Sequence, residues 1–266
     1  MDNLSLFIKP WLSFPVPEII KKVKELGFKE VEVPIRNGCF LNPDNCIAEL
    51  PKFHKLLKSE GITIKTVASV VDERIFAAMN EAEIDLMRVM LICADGESYT
   101  DGEKRFDDMM KEASGYCEKY NTKVGIQAHV GNYVFSVMEL KHLLERCDEK
   151  YIGAVWDTGH AGLAGEIPEK SIDIIFDRIM LINLKAAYFL RYEDEAKVKY
   201  KPFYTIGEES PCSWQETVNC LNKKGYKGGY CTHAEYTSLI NPGKYAENDE
   251  AEKFLKEDLN YIGKIL

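Results

Sequence analysis

The chain has 266 residues, 45% of them hydrophobic and 29% charged, which is ample material for a core and shows no compositional sign of disorder. A formal net charge of -9 and a pI near 5.2 repel a phosphate backbone, so no nucleic-acid partner is expected. No apolar run approaches a membrane span and Met1-Asp2-Asn3 opens without a basic region, so no membrane is expected and the cytoplasm is the expected location.

In chain order, residues 4–8 read as an apolar strand stopped by Lys9-Pro10, and 17–28 carry Ile19, Ile20, Val23 and Leu26 at helical spacing. The alternation repeats with a strand over 30–35 and a helix over 48–59, then a β-branched strand over 63–71 and a helix over 73–85. A fourth strand covers 86–93, and 101–120 form a long amphipathic helix with a stripe of Phe106, Met109, Met110, Ala113, Tyr116 and Cys117. A fifth strand begins at Val124, followed by a helix over 136–147. A sixth runs over 151–156 and ends at Asp157, followed by a helix over 167–178. The seventh strand covers 179–184, the eighth 229–236, and helices cover 214–224 and 250–266. Strand and helix in turn, eight times over without a linker, predict one α/β domain over 1–266, a closed (β/α)8 TIM barrel rather than an open doubly wound sheet. The segment 186–213, with Arg191, Glu193, Asp194 and Glu195, reads as a long loop after strand seven that forms a lid over the catalytic mouth. The eight cysteines show neither a Cys-x-x-Cys pair nor metal-ligand spacing and read as small buried hydrophobes of a reducing compartment.

The chemistry gathers at the ends of strands five to eight. Side chains alternate along a strand, so Gln127 and His129 share a face, as do Asn183 and Lys185, and His233 and Glu235. Asp157 ends its strand before Thr158-Gly159-His160 and is either part of a polar site or a helix N-cap. Three of the five histidines, His129, His160 and His233, fall at these strand ends, whereas His54 and His142 fall in helices as surface or boundary residues. Lys185 is either a buried amine that binds an anion or hydroxyl or a solvent-exposed lysine beyond the strand; a Schiff-base role requires a depressed pKa. Gly159, Gly162 and Gly165 lack the spacing of a dinucleotide loop. Trp11, Arg36, Asn132 and Tyr133 lie near strand ends and are read as rim packing.

On these residues the chain resembles the xylose isomerase-like barrels, a family containing sugar phosphate isomerases and epimerases, inosose dehydratase and type IV endonucleases. Asp157-Thr158-Gly159-His160 is similar to the family's Asp-x-Gly-His, and Gly225-Tyr226-Lys227-Gly228 to its Gly-Tyr-x-Gly. Gln127-Ala128-His129 stands where the family has Glu-x-His, and Ile182-Asn183-Leu184-Lys185 where it has His-x-Lys-Asp, so both matches are degraded. The resemblance implies a divalent cation, Mn, Mg or Zn, on Gln127, Asp157, Asn183 and either His233 or Glu235. Amide oxygens bring no charge, so that cation is expected to be weakened or lost relative to the family.

The resulting expectation is an isomerase, epimerase or related lyase acting on a small sugar or polyol by proton transfer next to its carbonyl. Glu235, His233, His160 and Lys185 are its expected catalytic residues, and His129 and Arg191 its substrate contacts. The alternative is a catalytically reduced barrel that binds a sugar-like ligand without turnover. A DNA-repair endonuclease is disfavoured, since neither a His- and Glu-rich metal cluster nor a basic face is evident.

Overall fold

A computed structural model describes residues 3–194, 197–241 and 243–266; Met1, Asp2 and Glu195, which entered the sequence reading, lie outside them. Short β-branched and apolar runs form β1 (Leu4–Phe7), β2 (Glu30–Pro34), β3 (Thr63–Ser69), β4 (Leu86–Val89), β5 (Lys123–Gln127), β6 (Ile152–Asp157) and β7 (Ile179–Leu184). Beyond β7 the chain makes an antiparallel pair, β8 (Ala186–Asp194) and β9 (Lys197–Thr205), before β10 (Gly229–His233) returns to the barrel. The barrel strands are parallel and closed in the order β1-β10-β7-β6-β5-β4-β3-β2.

Helices α1 (Val16–Glu25), α2 (Cys46–Ser59), α3 (Glu73–Glu81), α4 (Tyr99–Tyr120) and α5 (Val137–Leu144) cover the outside of the first five strands. Two helices, α6 (Thr158–Leu163) and α7 (Pro168–Ile175), follow β6, and α8 (Trp214–Lys223) and α9 (Asn248–Ile265) complete the ring. Each buries one stripe: α4 sets Phe106, Met110, Ala113 and Cys117 against the barrel at helical spacing. Local signals set the helix starts, as where Ser136 accepts from the Glu139 amide while the Glu139 carboxylate accepts from the Ser136 amide, a reciprocal capping box.

Alternation along the strands divides the interior in two. Leu6, Val33, Ile126, Trp156 and Ile182 feed the large core beneath the helices. Phe7, Ala68, Val155, Leu181 and Cys231 form a separate apolar layer inside the barrel. Above that floor the lumen turns polar at the carboxyl ends of the strands, which is where a barrel of this kind places its site.

Two expectations are corrected. The segment after strand seven is not an irregular loop but the β8–β9 hairpin, paired continuously from Ala186 with Thr205 to Asp194 with Lys197. Its root is fastened to the barrel, since Gly162 of α6 approaches the Ala187 carbonyl so closely that an added Cβ would lie 3.2 Å from it. His54 is not a surface residue: it is buried, with Nδ1 2.6 Å from the Ala82 carbonyl and Nε2 accepting from the Ile64 amide at 3.1 Å, so it ties α2 to β3 and the end of α3.

Candidate functional site

The polar layer begins with two charged residues that sit between apolar neighbours in their strands. Glu32 on β2 and Arg88 on β4 are both buried, and Arg88 grips Glu32 with both arms, Nε to Oε1 at 2.8 Å and Nη2 to Oε2 at 2.7 Å. The guanidinium also donates through Nη1 to the Gln127 side-chain oxygen on β5. Gln127 passes the connection on, its Nε2 donating to Asp157 Oδ2 at 2.6 Å, and Asn183 on β7 adds a longer contact to the same oxygen at 3.4 Å. The other oxygen, Oδ1, accepts from the Gly159 and His160 amides at 2.9 and 3.1 Å, so Asp157 is at once a lumen carboxylate and the N-cap of α6. A continuous ribbon of hydrogen bonds therefore runs across four strands from Glu32 to Asp157.

A second charged group lies just beyond the strand ends. Glu235 accepts from Lys9 at 2.5 Å on one oxygen and from Lys185 at 2.9 Å on the other, and His233 Nδ1 lies 3.5 Å from the latter. Lys185 is buried, its amine 4.6 Å from the centre of the Tyr204 ring on β9, so the hairpin roofs it. Its backbone is pinned from below: the Thr158 hydroxyl and the Trp214 indole donate to its carbonyl at 2.6 and 2.9 Å. Gly159 permits this approach, because a Cβ there would lie 3.1 Å from the Lys185 stem.

Charge states follow from burial and neighbours. Burial alone would lower the pKa of Lys185, but Glu235 and then Asp157 outweigh it, and the amine stays protonated, the opposite of what a Schiff-base nucleophile needs. Burial opposes ionisation of Glu235 too, yet Lys185, the His233 contact and Lys9 hold its carboxyl well below the usual range. Asp157, against its burial, is held at about 2 by His160, Lys185, His233 and the His160 amide. Because burial pushes His160 itself down to about 3, that imidazole is neutral near pH 7, and the Lys185 charge and the amide donors carry the effect on Asp157. Burial likewise lowers His129 and His233.

The imidazoles differ in what they can do. His129 Nδ1 lies 2.8 Å from the Val130 carbonyl, which only accepts, so Nδ1 carries the proton and Nε2 holds a lone pair with no described partner. His160 stacks on it at 3.8 Å between ring centres and accepts from the Val130 amide through Nδ1 at 3.4 Å, which leaves Nε2–H buried and unpartnered. Asn183 Oδ1 and His233 Nε2 are likewise buried without hydrogen-bond partners, the latter 3.8 Å from Glu32 Oε2. His129, Lys185, His233 and Glu235 line one open cavity with Lys9, Arg36 and Arg88.

Most of the positions that the family resemblance assigns to a cation are already committed to other partners. Asp157 has both oxygens engaged, Gln127 turns its amide nitrogen toward Asp157 and its oxygen toward a permanent cation, and Glu235 is held between two lysines. Glu32, Cys231 and His233 also come within 4.8 Å of one another, but Glu32 is committed to Arg88 and burial keeps the Cys231 thiol protonated. As arranged, neither set presents the vacant anionic donors that a divalent cation requires.

The structure thus brings together Gln127, Asp157, Asn183, His129, His160, Lys185, His233 and Glu235, all at one barrel mouth. Arg191 is not with them; it lies on the exposed hairpin, bonded to Glu193 at 3.0 Å, and does not line the cavity. Trp11 and Tyr133 are buried in the core, whereas Arg36, read as packing, lines the cavity. Glu32 and Arg88 were missed although the signal was present: one charged residue flanked by apolar neighbours in each of two strands, of opposite sign. Lys9, Tyr204 and Tyr245 left no such signal, since nothing in their local pattern fixes where they point.

A closed (β/α)8 barrel with a polar, charge-paired mouth at the carboxyl ends of its strands is the class that fold and site define. Residues 20–262 match the model of the xylose isomerase-like TIM barrel family, and the chain belongs to that family. It is 23% identical over 208 residues to an inosose dehydratase of Lactiplantibacillus plantarum, a match covering 74% of this chain and 66% of that protein. A further inosose dehydratase, of Clostridium beijerinckii, is 25% identical over 64% of this chain and 59% of its own length, so the chain spans under two thirds of the curated relatives it matches. Among solved structures, D-psicose 3-epimerase of Clostridium cellulolyticum H10 with D-tagatose superposes with a TM-score of 0.75 at 11% identity, covering 99% of each chain. A xylose isomerase-like barrel protein of Mycobacterium smegmatis in complex with magnesium gives 0.69 at 12% identity over 99% of this chain and 96% of that one. At such identities these structures establish the shared fold.

Proposed function

We propose that this barrel is an isomerase, epimerase or related lyase that moves a proton next to the carbonyl of a small polyhydroxylated substrate, using its own side chains where the family uses a cation. The observation that carries the reading is the neutral His129, whose bare Nε2 belongs to the same cavity as the Lys185 ammonium. A carbonyl oxygen placed against Lys185 and Arg88 is polarised by two fixed cations in a water-poor site. His129 Nε2 then takes the proton from the adjacent carbon, and the electron pair of that C–H bond passes into an enediolate whose charge rests beside Lys185. His233, the other imidazole of the cavity, is the candidate for returning a proton. Return to the neighbouring carbon gives isomerisation, return to the opposite face gives epimerisation, and departure of a hydroxyl gives dehydration. Asp157 anchors Gln127, Asn183 and the first turn of α6, and Glu235 positions Lys185. Names among the relatives, inosose dehydratase and D-psicose 3-epimerase, agree with this class of substrate and reaction.

The experiment is deuterium exchange from solvent into D-fructose, D-tagatose and scyllo-inosose, followed by NMR. Wild-type exchange that falls roughly 10²–10⁴-fold in His129→Gln supports the reading. Exchange at the wild-type rate in that variant contradicts it. A second reading, a barrel that binds a sugar without turnover, is favoured by one observation: Glu32, Asp157 and Glu235 each have both oxygens engaged, so no carboxylate of the mouth is a free base. Saturable sugar binding without any exchange selects it.

A further inference from the structure

Among the described residues, the mouth carries one positive charge without a carboxylate to match it. Four cations, Lys9, Arg36, Arg88 and Lys185, line the cavity, and the carboxylates around them are three: Glu32, Asp157 and Glu235. Arg88 is matched by Glu32, and Lys9 and Lys185 converge on Glu235, which leaves Asp157 to balance the second lysine from below.

Arg36 is the cation left over. It lies two residues past β2, where the chain is fixed by its own amide donating to the Leu41 carbonyl at 3.1 Å and its carbonyl accepting from the Cys39 amide at 3.0 Å. The guanidinium is half-buried on the cavity wall, and among the described residues no carboxylate pairs with it and no side chain or carbonyl accepts from it. Its strongest neighbours in the electrostatic sense after burial are Arg88, which repels it, and then Glu32 and Glu235, both already matched. A partly desolvated guanidinium with five unmet donors on the wall of a cavity is a receptor for an oxoanion.

We infer that the substrate of this mouth carries a carboxylate, received in bidentate fashion by Arg36, with the hydroxylated and carbonyl-bearing remainder reaching inward toward Lys185 and His129. This rests on the reading of the site given above and adds the substrate class to it: a small sugar acid or polyhydroxy keto acid. A carboxylate fits better than a phosphate because one excess charge is available, and a dianion would leave a negative charge beside Glu235.

The test is calorimetric titration of the full chain with D-glucuronate and D-galacturonate, each set against its neutral sugar, D-glucose or D-galactose, and with inorganic phosphate. Wild type is expected to bind at least one acid tenfold or more tightly than its neutral counterpart. Arg36→Gln is expected to abolish that preference while leaving neutral-sugar affinity unchanged, and Arg36→Lys to restore part of it, since charge returns without the fork. Far-UV circular dichroism and melting confirm that the variants fold, as a half-buried rim residue allows. Acids binding no better than neutral sugars, or an acid preference that survives Arg36→Gln, overturns the inference, as does Arg36-dependent binding of inorganic phosphate tighter than that of either acid. Deuterium exchange separates this from the site reading. Neutral sugars exchanged through His129 while the acids bind no better than their neutral counterparts leave proton transfer standing and remove the carboxylate; acid binding through Arg36 with no exchange does the reverse.

Discussion

Replacing Arg88 by methionine removes the cation that holds the polar layer together, and its cost can be worked from the contacts. The substitution keeps most of the side-chain volume but strips both oxygens of the buried Glu32 and the Gln127 oxygen of their donor. Breaking a buried ion pair from one side leaves an uncompensated charge and costs about 3–5 kcal/mol. For a chain of this size that lowers the melting temperature by roughly 10 °C. The double variant Glu32→Leu/Arg88→Met removes the stranded charge and leaves only the Gln127 oxygen wanting, a penalty of about 1–3 kcal/mol. Urea unfolding of wild type, both singles and the double closes the cycle. The double variant should be more stable than Arg88→Met by about 2 kcal/mol. An Arg88→Met variant within about 1 kcal/mol of wild type, or a double variant no more stable than that single, refutes the claim that Glu32 and Arg88 balance each other's buried charge.

Other consequences are independent of that cycle. Asp258, buried and accepting from the Tyr236 hydroxyl at 2.6 Å and the Gly207 amide at 2.7 Å, has its carboxyl raised by burial to about 7. A raised acid is protonated in the folded state where the unfolded chain has lost its proton, so its contribution is greatest below pH 4 and falls as pH rises toward 7. Stability of wild type relative to Asp258→Asn should therefore decline over that window by on the order of 3 kcal/mol, and a pH-independent difference in melting would contradict the assignment. Gly125→Ala drives a Cβ to 2.6 Å from Val155 Cγ2 inside the barrel and should destabilise by about 1–3 kcal/mol in urea unfolding; a neutral effect would show that the lumen floor is loosely packed. Lys185→Met should abolish exchange of deuterium into keto-sugars while Glu235→Gln, which leaves the amine in place, retains part of it; equal losses would argue against a direct role for the ammonium.

Much of the architecture was legible because the barrel obeys two periods. Strands of four to seven residues and helices with one apolar stripe repeat in the sequence, and β1 to β7 and β10 fall on the expected segments to within a few residues. The hairpin was not legible, because β8 and β9 stand away from the core with many exposed positions, so their side chains do not alternate apolar with polar. Pro202 within β9, opposite Phe189, further masks a strand in the sequence. Helix α6 was hidden for another reason: it is six residues long with two glycines, and it exists because the Asp157 side chain caps its amides. Parity along the strands gathered Gln127 with His129, Asn183 with Lys185 and His233 with Glu235, yet it is silent on His160, which lies in α6, and on the βα loops. Whether Arg36 and Lys9 turn inward depends on how the βα loops fold back, which no local pattern encodes. Parity also cannot report that Gln127 spends its oxygen on Arg88, the contact that changes what the mouth can hold.

The most direct test of the central claim, that side-chain cations stand where the family holds a metal, is calorimetric titration of chelator-treated protein with Mn2+, Mg2+ and Zn2+, repeated on Asp157→Ala. No stoichiometric binding that Asp157→Ala removes is expected, together with deuterium exchange that persists in the chelator. One-to-one binding of any of these ions to wild type, abolished in Asp157→Ala, would contradict it and would mean that Gln127 and Asn183 turn their oxygens to a cation and Arg88 gives way.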